Sequence, residues 1–138
     1  MTKDCISDML TRLRNSSKVF HSFVEIKYSK INIEILKILK SEGYIKNYVL
    51  TNSTNLIQTI SVALKYEGWW TKSPSFSKLI RISKPGKKVY FKSNKLNSTN
   101  TNLNLKSGLI FVTNSHGLMT HLQAKNLKLG GEALFYIS

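Results

Sequence analysis

Apolar positions recur at helical spacing twice in the first third of the chain. Cys5, Ile6, Met9, Leu10 and Leu13 follow Asp4, a residue type that caps helices, while Arg12 and Arg14 fall on other faces. This predicts a helix over residues 4–15, followed by a polar, loop-like stretch over 16–22. Residues 23–27 alternate, with Phe23 and Glu25 on one side and Val24 and Ile26 on the other, which predicts a short strand. A second helix is expected behind Ser29 as N-cap. Its apolar stripe is Ile31, Ile35, Ile38 and Leu39, and Gly43 sits where a left-handed terminating residue belongs. Two antiparallel strands are expected over 44–50 and 56–66, separated by the Thr-Asn-Ser-Thr-Asn turn at 51–55.

The pattern then breaks at 68–74, which is read as the boundary between an N-terminal lobe, 1–72, and a C-terminal lobe, 73–138. Trp69 and Trp70 lie inside this break, and one or both are expected to plug the junction. Beyond it, 79–83 and 87–91 read as short strands on either side of a Lys84-Pro85-Gly86 turn. Residues 93–107 are rich in Asn, Ser and Thr and read as an irregular connection. Residues 109–113 form a strongly apolar strand, 114–117 a polar loop, and 120–128 a short helix stopped by Gly130-Gly131. Residues 133–137 close the order as a strand. Helices and strands are mixed, with too few helices for a doubly wound sheet, so the fold class is α+β in two small lobes.

Composition narrows the function more than the fold. The chain has 138 residues, of which 41% are hydrophobic, enough for a core without a disulfide or metal staple. Its single cysteine, Cys5, excludes an internal disulfide and a cysteine-based zinc site, and fits a reducing compartment. Lys and Arg number 21 against 7 Asp and Glu, a net charge of +14. Such an excess repels itself in a compact state unless a polyanion neutralises it. No apolar run approaches the roughly 20 residues that span a bilayer, and the cations are not gathered on one amphipathic helix. Nucleic acid is therefore the expected partner, with no membrane and no small-molecule substrate. Met1-Thr2-Lys3-Asp4 leads straight into the first helix, so neither a signal nor a transit segment is expected. The richness in Lys, Asn and Ile fits an AT-biased genome.

Catalytic constellations are poorly represented. The seven acids are scattered, and Asp4 and Asp8 suit the start of a helix better than acid–base work. His116 and His121 are five apart, without the acid of a zinc-protease helix between them. Ser115 and His116 are chain neighbours with no carboxylate partner in sight, which leaves a hydrolase far behind a binding protein. No phosphate-binding glycine loop occurs. No catalysis, metal or cofactor is expected.

Phosphate contacts need cations and small donors on a rigid frame. Arg12, Arg14 and Asn15 at the end of the first helix offer these, as do Ser29 and Lys30 opening the second, and Lys84, Lys87 and Lys88 around the Pro-Gly turn. Reading distorted RNA needs stacking planes and polar loops instead. Tyr90 could supply one, and Thr113-Asn114-Ser115-His116-Gly117 the other, with ordinary core and helix-cap roles as the structural alternatives.

These segments, in this order, resemble the eighth protein of the bacterial-type small ribosomal subunit. The resemblance lies in Ile6-Ser7-Asp8-Met9-Leu10-Thr11-Arg12-Leu13-Arg14-Asn15 and in Ser29-Lys30 with Glu42-Gly43-Tyr44-Ile45. It continues in Arg81-Ile82-Ser83-Lys84-Pro85-Gly86-Lys87-Lys88-Val89-Tyr90, in Thr113–Thr120, and in Leu129-Gly130-Gly131-Glu132. It implies binding to the central domain of small-subunit rRNA during platform assembly, beside neighbouring small-subunit proteins. Thr11 joins the RNA-contacting residues by that likeness. Tyr90 and the C-terminal loop would meet an irregular RNA core, Glu132 would hold the loop or accept from a base, and the N-terminal lobe would contact backbone. Departures from the family pattern are Asn114 for the middle Thr of a Ser-Thr-Ser loop, His121 for an acid, Lys84 for an Arg, and the stretch 93–107. They fit an organellar ribosome, with mitochondrion expected ahead of plastid or bacterial cytoplasm. The rival reading is a general DNA-compacting basic protein.

Overall fold

The structure, a computed structural model, describes residues 4–52, 57–92 and 108–138. The expected turn at 51–55 falls largely outside these, and the connection at 93–107 wholly so. Helices combine with antiparallel sheets in an α+β fold, and the chain divides into two compact units, Met1–Phe76 and Ser77–Ser138. The sequence break had put the division at 72/73. Residues 73–76 stay with the first unit because the Ser75 hydroxyl and amide donate to the Tyr44 and Lys65 carbonyls and Phe76 is buried.

In the first unit, α1 (Cys5–Lys18) and α2 (Lys30–Ser41) cover one face of a three-stranded sheet, with α1 against β1 (Phe23–Lys27) and α2 against β2 (Ile45–Asn52). The strand between those two is β3 (Gln58–Leu64), antiparallel to both. Met9, Leu10 and Leu13 meet Ile35, Leu36 and Leu39 over Val24, Ile26, Ile60 and Val62, all buried. The stripe of α2 is rotated from the expected one, since Asn32 and Leu36 are buried while Ile31 and Ile38 are only half-buried. Asn32 is held there by its side-chain amide donating to the Lys27 carbonyl at 3.2 Å.

Three features set the helix ends. First, α1 continues to Lys18 through residues read as loop, because Ser17 sits on the buried face with its hydroxyl donating to the Arg14 carbonyl at 2.9 Å. Its polarity is satisfied within the helix, so nothing ends the helix there. Second, α1 ends where Phe20 takes a left-handed φ of 59°, with the Phe20 and His21 amides bonded to the Ser17 and Ser16 carbonyls. Third, α2 ends the same way at Gly43, as expected, with the Gly43 and Tyr44 amides on the Lys40 and Leu39 carbonyls. A small hairpin follows, β4 (Tyr66–Glu67) with β5 (Ser73–Pro74), cut off from β3 at Lys65. Trp69 and Trp70 lie in its loop and are 95% and 93% exposed, so the expected plug does not form.

The second unit is a five-stranded sheet built around its last strand. Strands β6 (Leu79–Arg81) and β7 (Tyr90–Phe91) pair one after the other along one edge of β10 (Gly131–Ile137). Its other edge carries β8 (Leu109–Asn114), which pairs in turn with β9 (Gly117–Thr120). β6 and β7 are shorter than the sequence pattern predicts, because the intervening segment leaves the sheet at the Pro-Gly turn. Residues 133–137 are all buried, as a central strand covered on both faces requires. Phe111 and Phe135 stack at 4.4 Å on one face. On the other, Ala124 of α3 (His121–Asn126) packs with Ile110, Val112, Met119, Ala133 and Tyr136. Thr120 caps α3 in a reciprocal box with Gln123. The helix stops at Lys128, left-handed with φ 56°, rather than at Gly130-Gly131.

Candidate nucleic-acid interface

Register in the second unit brings together residues far apart in the chain. Glu132 on β10 lies opposite Tyr90 on β7 and opposite Thr113 on β8. Directly opposed residues of antiparallel strands share a face, so Tyr90, Glu132 and Thr113 form one row on the side away from α3. The same face is apolar one step along, at the Phe111–Phe135 pair, and turns polar at this row. Tyr90 is 66% exposed, which removes the core-aromatic reading.

Each end of the row is tied to a turn. Ser83, fully buried, donates its hydroxyl to Glu132 Oε1 at 2.7 Å and accepts from the Val89 amide at 3.2 Å. Lys84 and Lys87 close a two-residue turn across Pro85-Gly86 through paired backbone bonds of 2.9 Å. Lys84, Lys87 and Lys88 are all exposed on this excursion from the sheet, and open space surrounds the position of a Cβ on Gly86. Glu132 thus fixes the base of the basic turn, and its hydrogen bond goes there rather than to the 114–117 loop.

At the other end, Ser115 and His116 form the tip of the β8–β9 hairpin, within the polar loop expected over 114–117. Asn114 shapes it: Oδ1 accepts from the His116 amide at 2.8 Å, and Nδ2 donates to Met119 Sδ at 3.4 Å. Gly117, at φ 107°, takes a conformation that a side chain would strain. Ser115 Oγ lies 3.2 Å from His116 Nδ1, with both residues exposed. No carboxylate orients that imidazole among the described residues, so this is a pair of polar contacts and not a nucleophile with its base. Gly131 lets β10 approach β8, since a Cβ there would fall 2.6 Å from the Thr113 carbonyl oxygen.

His121 faces inward. Its Nδ1 accepts from the Ile110 amide at 3.1 Å, and burial together with nearby Lys125 lowers its pKa. It serves the fold, while His116 faces solvent.

The N-terminal candidates lie in the other unit. Thr11 and Asn15, four apart, are exposed on α1, with the Thr11 hydroxyl donating to the Ser7 carbonyl at 2.8 Å. Arg12 pairs with Asp8 at 3.2 Å and reaches the Glu25 carbonyl at 3.4 Å, while Arg14 is half-buried. Ser29 spends its hydroxyl capping α2, accepting from the Asn32 amide, and Lys30 beside it is exposed. These six share a unit but not one element. Sequence pattern gives neither Ser83 nor Gly131 a role of its own, although both stand inside the motifs that carry the family resemblance. What each contacts becomes visible only with strand register.

Among the described residues no group of three metal-ligating side chains occurs, and no helix is long and apolar enough to cross a membrane. The second unit thus sets a polar row between a basic turn and a donor-rich hairpin tip. The chain belongs to the ribosomal protein S8 family, whose family model matches residues 4–138. It is accordingly a structural ribosomal protein and not an enzyme. It is 43% and 44% identical to the small ribosomal subunit proteins uS8c of Trieres chinensis and Phaeodactylum tricornutum, over 99% of each chain. It is also 42% identical to uS8 of Corynebacterium jeikeium, over 97% of this chain and 96% of that one. The chloroplast form of the first two names favours plastid over the mitochondrion expected from sequence divergence.

Proposed function

We propose that this chain is a structural protein of the small ribosomal subunit of a plastid, where it binds the central domain of small-subunit rRNA and supports platform assembly. The Tyr90–Glu132–Thr113 row carries this reading, because a stacking plane, an acceptor and a small donor stand in line between two anchored turns. Unpaired or distorted bases are recognised by such combinations, whereas regular duplex offers them no access. Ser115, His116 and the Gly117 backbone extend the row at one end; Lys84, Lys87 and Lys88 neutralise phosphates at the other. Thr11, Arg12, Arg14, Asn15, Ser29 and Lys30 contact RNA backbone from the first unit. Neighbouring small-subunit proteins complete its surroundings, as the resemblance implies.

The test is binding of the purified protein to the central-domain helix of its own small-subunit rRNA, beside duplex DNA of equal length, at two salt concentrations. Tight RNA binding that persists at the higher salt while DNA is lost is the expected result. Equal and salt-sensitive binding to both would reduce the surface to a general basic one and favour DNA compaction.

A further inference from the structure

The first unit carries a second surface that the row above does not use. A groove of about 380 Å³ opens beside the end of β1 and the β4–β5 hairpin, with Phe20, Phe23 and Tyr66 among its walls. That volume lies within the range of small-ligand sites, ~300–1,000 Å³. The charged side chains lining it are Lys46 and Lys72, and no carboxylate lines it; Glu67, next to Tyr66 in the chain, is exposed and outside the lining. The hairpin loop between Gly68 and Lys72, both in the lining, presents Trp69 and Trp70. Their rings are 6.2 Å apart at 50° and almost wholly in water.

The groove is built rather than incidental. The Tyr66 hydroxyl donates to the His21 carbonyl, which fixes one ring, and Phe20 lies tilted on it at 5.7 Å. Phe20 holds this place in a left-handed conformation, at φ 59°, where helices that end this way usually have glycine. A bulky residue there costs about 1 kcal/mol or more, and Phe20 stays 48% exposed. Phe23 is 65% exposed. A contiguous exposed aromatic surface of this kind marks a site of interaction.

We infer that this groove and the Trp69–Trp70 loop form a second RNA site that stacks unpaired nucleotides, with Lys46 and Lys72 on the flanking phosphates. Aromatic planes accept any base by its face, and lysines follow the backbone; together they bind single strands with little sequence preference. A duplex keeps its bases stacked on one another and offers such planes nothing. A protein occupant is less well matched, because the lining is cationic and the whole chain carries +14. This inference rests on the RNA-binding reading above but on different residues in a different unit.

Trp69 and Trp70 are the chain's two tryptophans, so emission excited at wavelengths that tyrosine does not absorb reports this loop. An eight-nucleotide single-stranded RNA of mixed sequence, titrated into the full-length protein, should quench that emission saturably. A duplex of the same length should need at least about tenfold more RNA. The Lys46→Ala/Lys72→Ala double variant should lower the salt slope of the quench by about 1.4, given roughly 0.7 per phosphate on single strands. The Trp69→Ala/Trp70→Ala variant, exposed enough to fold normally, should lose about tenfold in filter binding of the same RNA. Affinity for the central-domain rRNA helix, measured in parallel on every variant, separates the two readings. Intact helix binding with no single-strand quench, or equal quench by duplex, overturns the groove assignment alone. Loss of helix binding in the wild type overturns the RNA reading itself. Quench by an acidic, phenylalanine-bearing peptide and not by RNA would assign the groove to protein and overturn the inference.

Discussion

Ser115 and Glu132 both belong to the proposed RNA surface, yet the structure separates what their loss should do. The Ser115 hydroxyl is exposed, and its hydrogen bond among the described residues is to the neighbouring His116 ring. Ser115→Ala should therefore leave urea-unfolding stability within about 0.5 kcal/mol, while weakening the central-domain helix with little change in salt slope. An equal loss on random RNA would remove Ser115 from specific recognition. Glu132→Ala removes the acceptor of a fully buried hydroxyl, Ser83. Leaving that donor unsatisfied costs about 1–3 kcal/mol, so this variant should lose stability and RNA affinity together. Glu132→Gln, which retains an acceptor oxygen, should recover most of the stability. If Glu132→Ala unfolds at the wild-type urea concentration, the Ser83 bond contributes nothing and the basic turn is held by its backbone alone. Lys87 sits on the exposed turn, where Lys87→Ala should weaken all RNAs alike and lower the duplex salt slope by about 0.9. An unchanged slope would count against a phosphate contact there.

Among the elements, α3 carries a pH-dependent feature. His121 opens it with Nδ1 already accepting the Ile110 amide, and burial and Lys125 depress its pKa. Because the unfolded chain takes up the proton first, this stability is complete above about pH 6.5. It falls as pH drops towards the lower folded value. The family resemblance puts an acid at this position, and a carboxylate could accept from the Ile110 amide, favour the helix start and attract Lys125. His121→Asp should flatten the loss of stability just below pH 6.5 and add about 0.3–1 kcal/mol at pH 7, read by thermal unfolding at several pH values. A pH profile identical to wild type would locate the acid sensitivity elsewhere. The elements also show what local sequence carries. Periodicity with caps announced α1 and α2, since both signals lie within a few residues of the helix. The last turn of α1 escaped, because Ser17 satisfies itself inward. The α3 stop at Lys128 escaped because left-handed backbone at a lysine leaves no compositional mark. Strands β6, β7 and β9 owe their limits to partners, and β6 meets β10 across more than fifty residues. The same distance explains the site: its residues stood in recognisable motifs, but Tyr90, Glu132 and Thr113 became one row only through register.

Charge acts on the molecule as a whole. Seven acids cannot neutralise 21 cations wherever they are placed, so the free protein folds against its own repulsion. Added salt screens that repulsion over about 10 Å at 0.1 M, and raising it from about 0.01 to 0.2 M should raise the unfolding temperature of the protein alone. Bound RNA neutralises the same charge by direct contact and adds stability in proportion to occupancy. Salt weakens that occupancy, steeply where several phosphates are contacted. At a fixed RNA concentration near saturation, the same salt series should therefore lower the unfolding temperature of the complex until it meets the rising curve of the free protein. The crossing of the two curves tests the central claim that the excess charge exists to be neutralised by RNA. Two curves rising in parallel would mean that the stability RNA adds does not come from neutralising charge. The positive charge would then serve solubility, and the contact surface would have to act through its polar row alone.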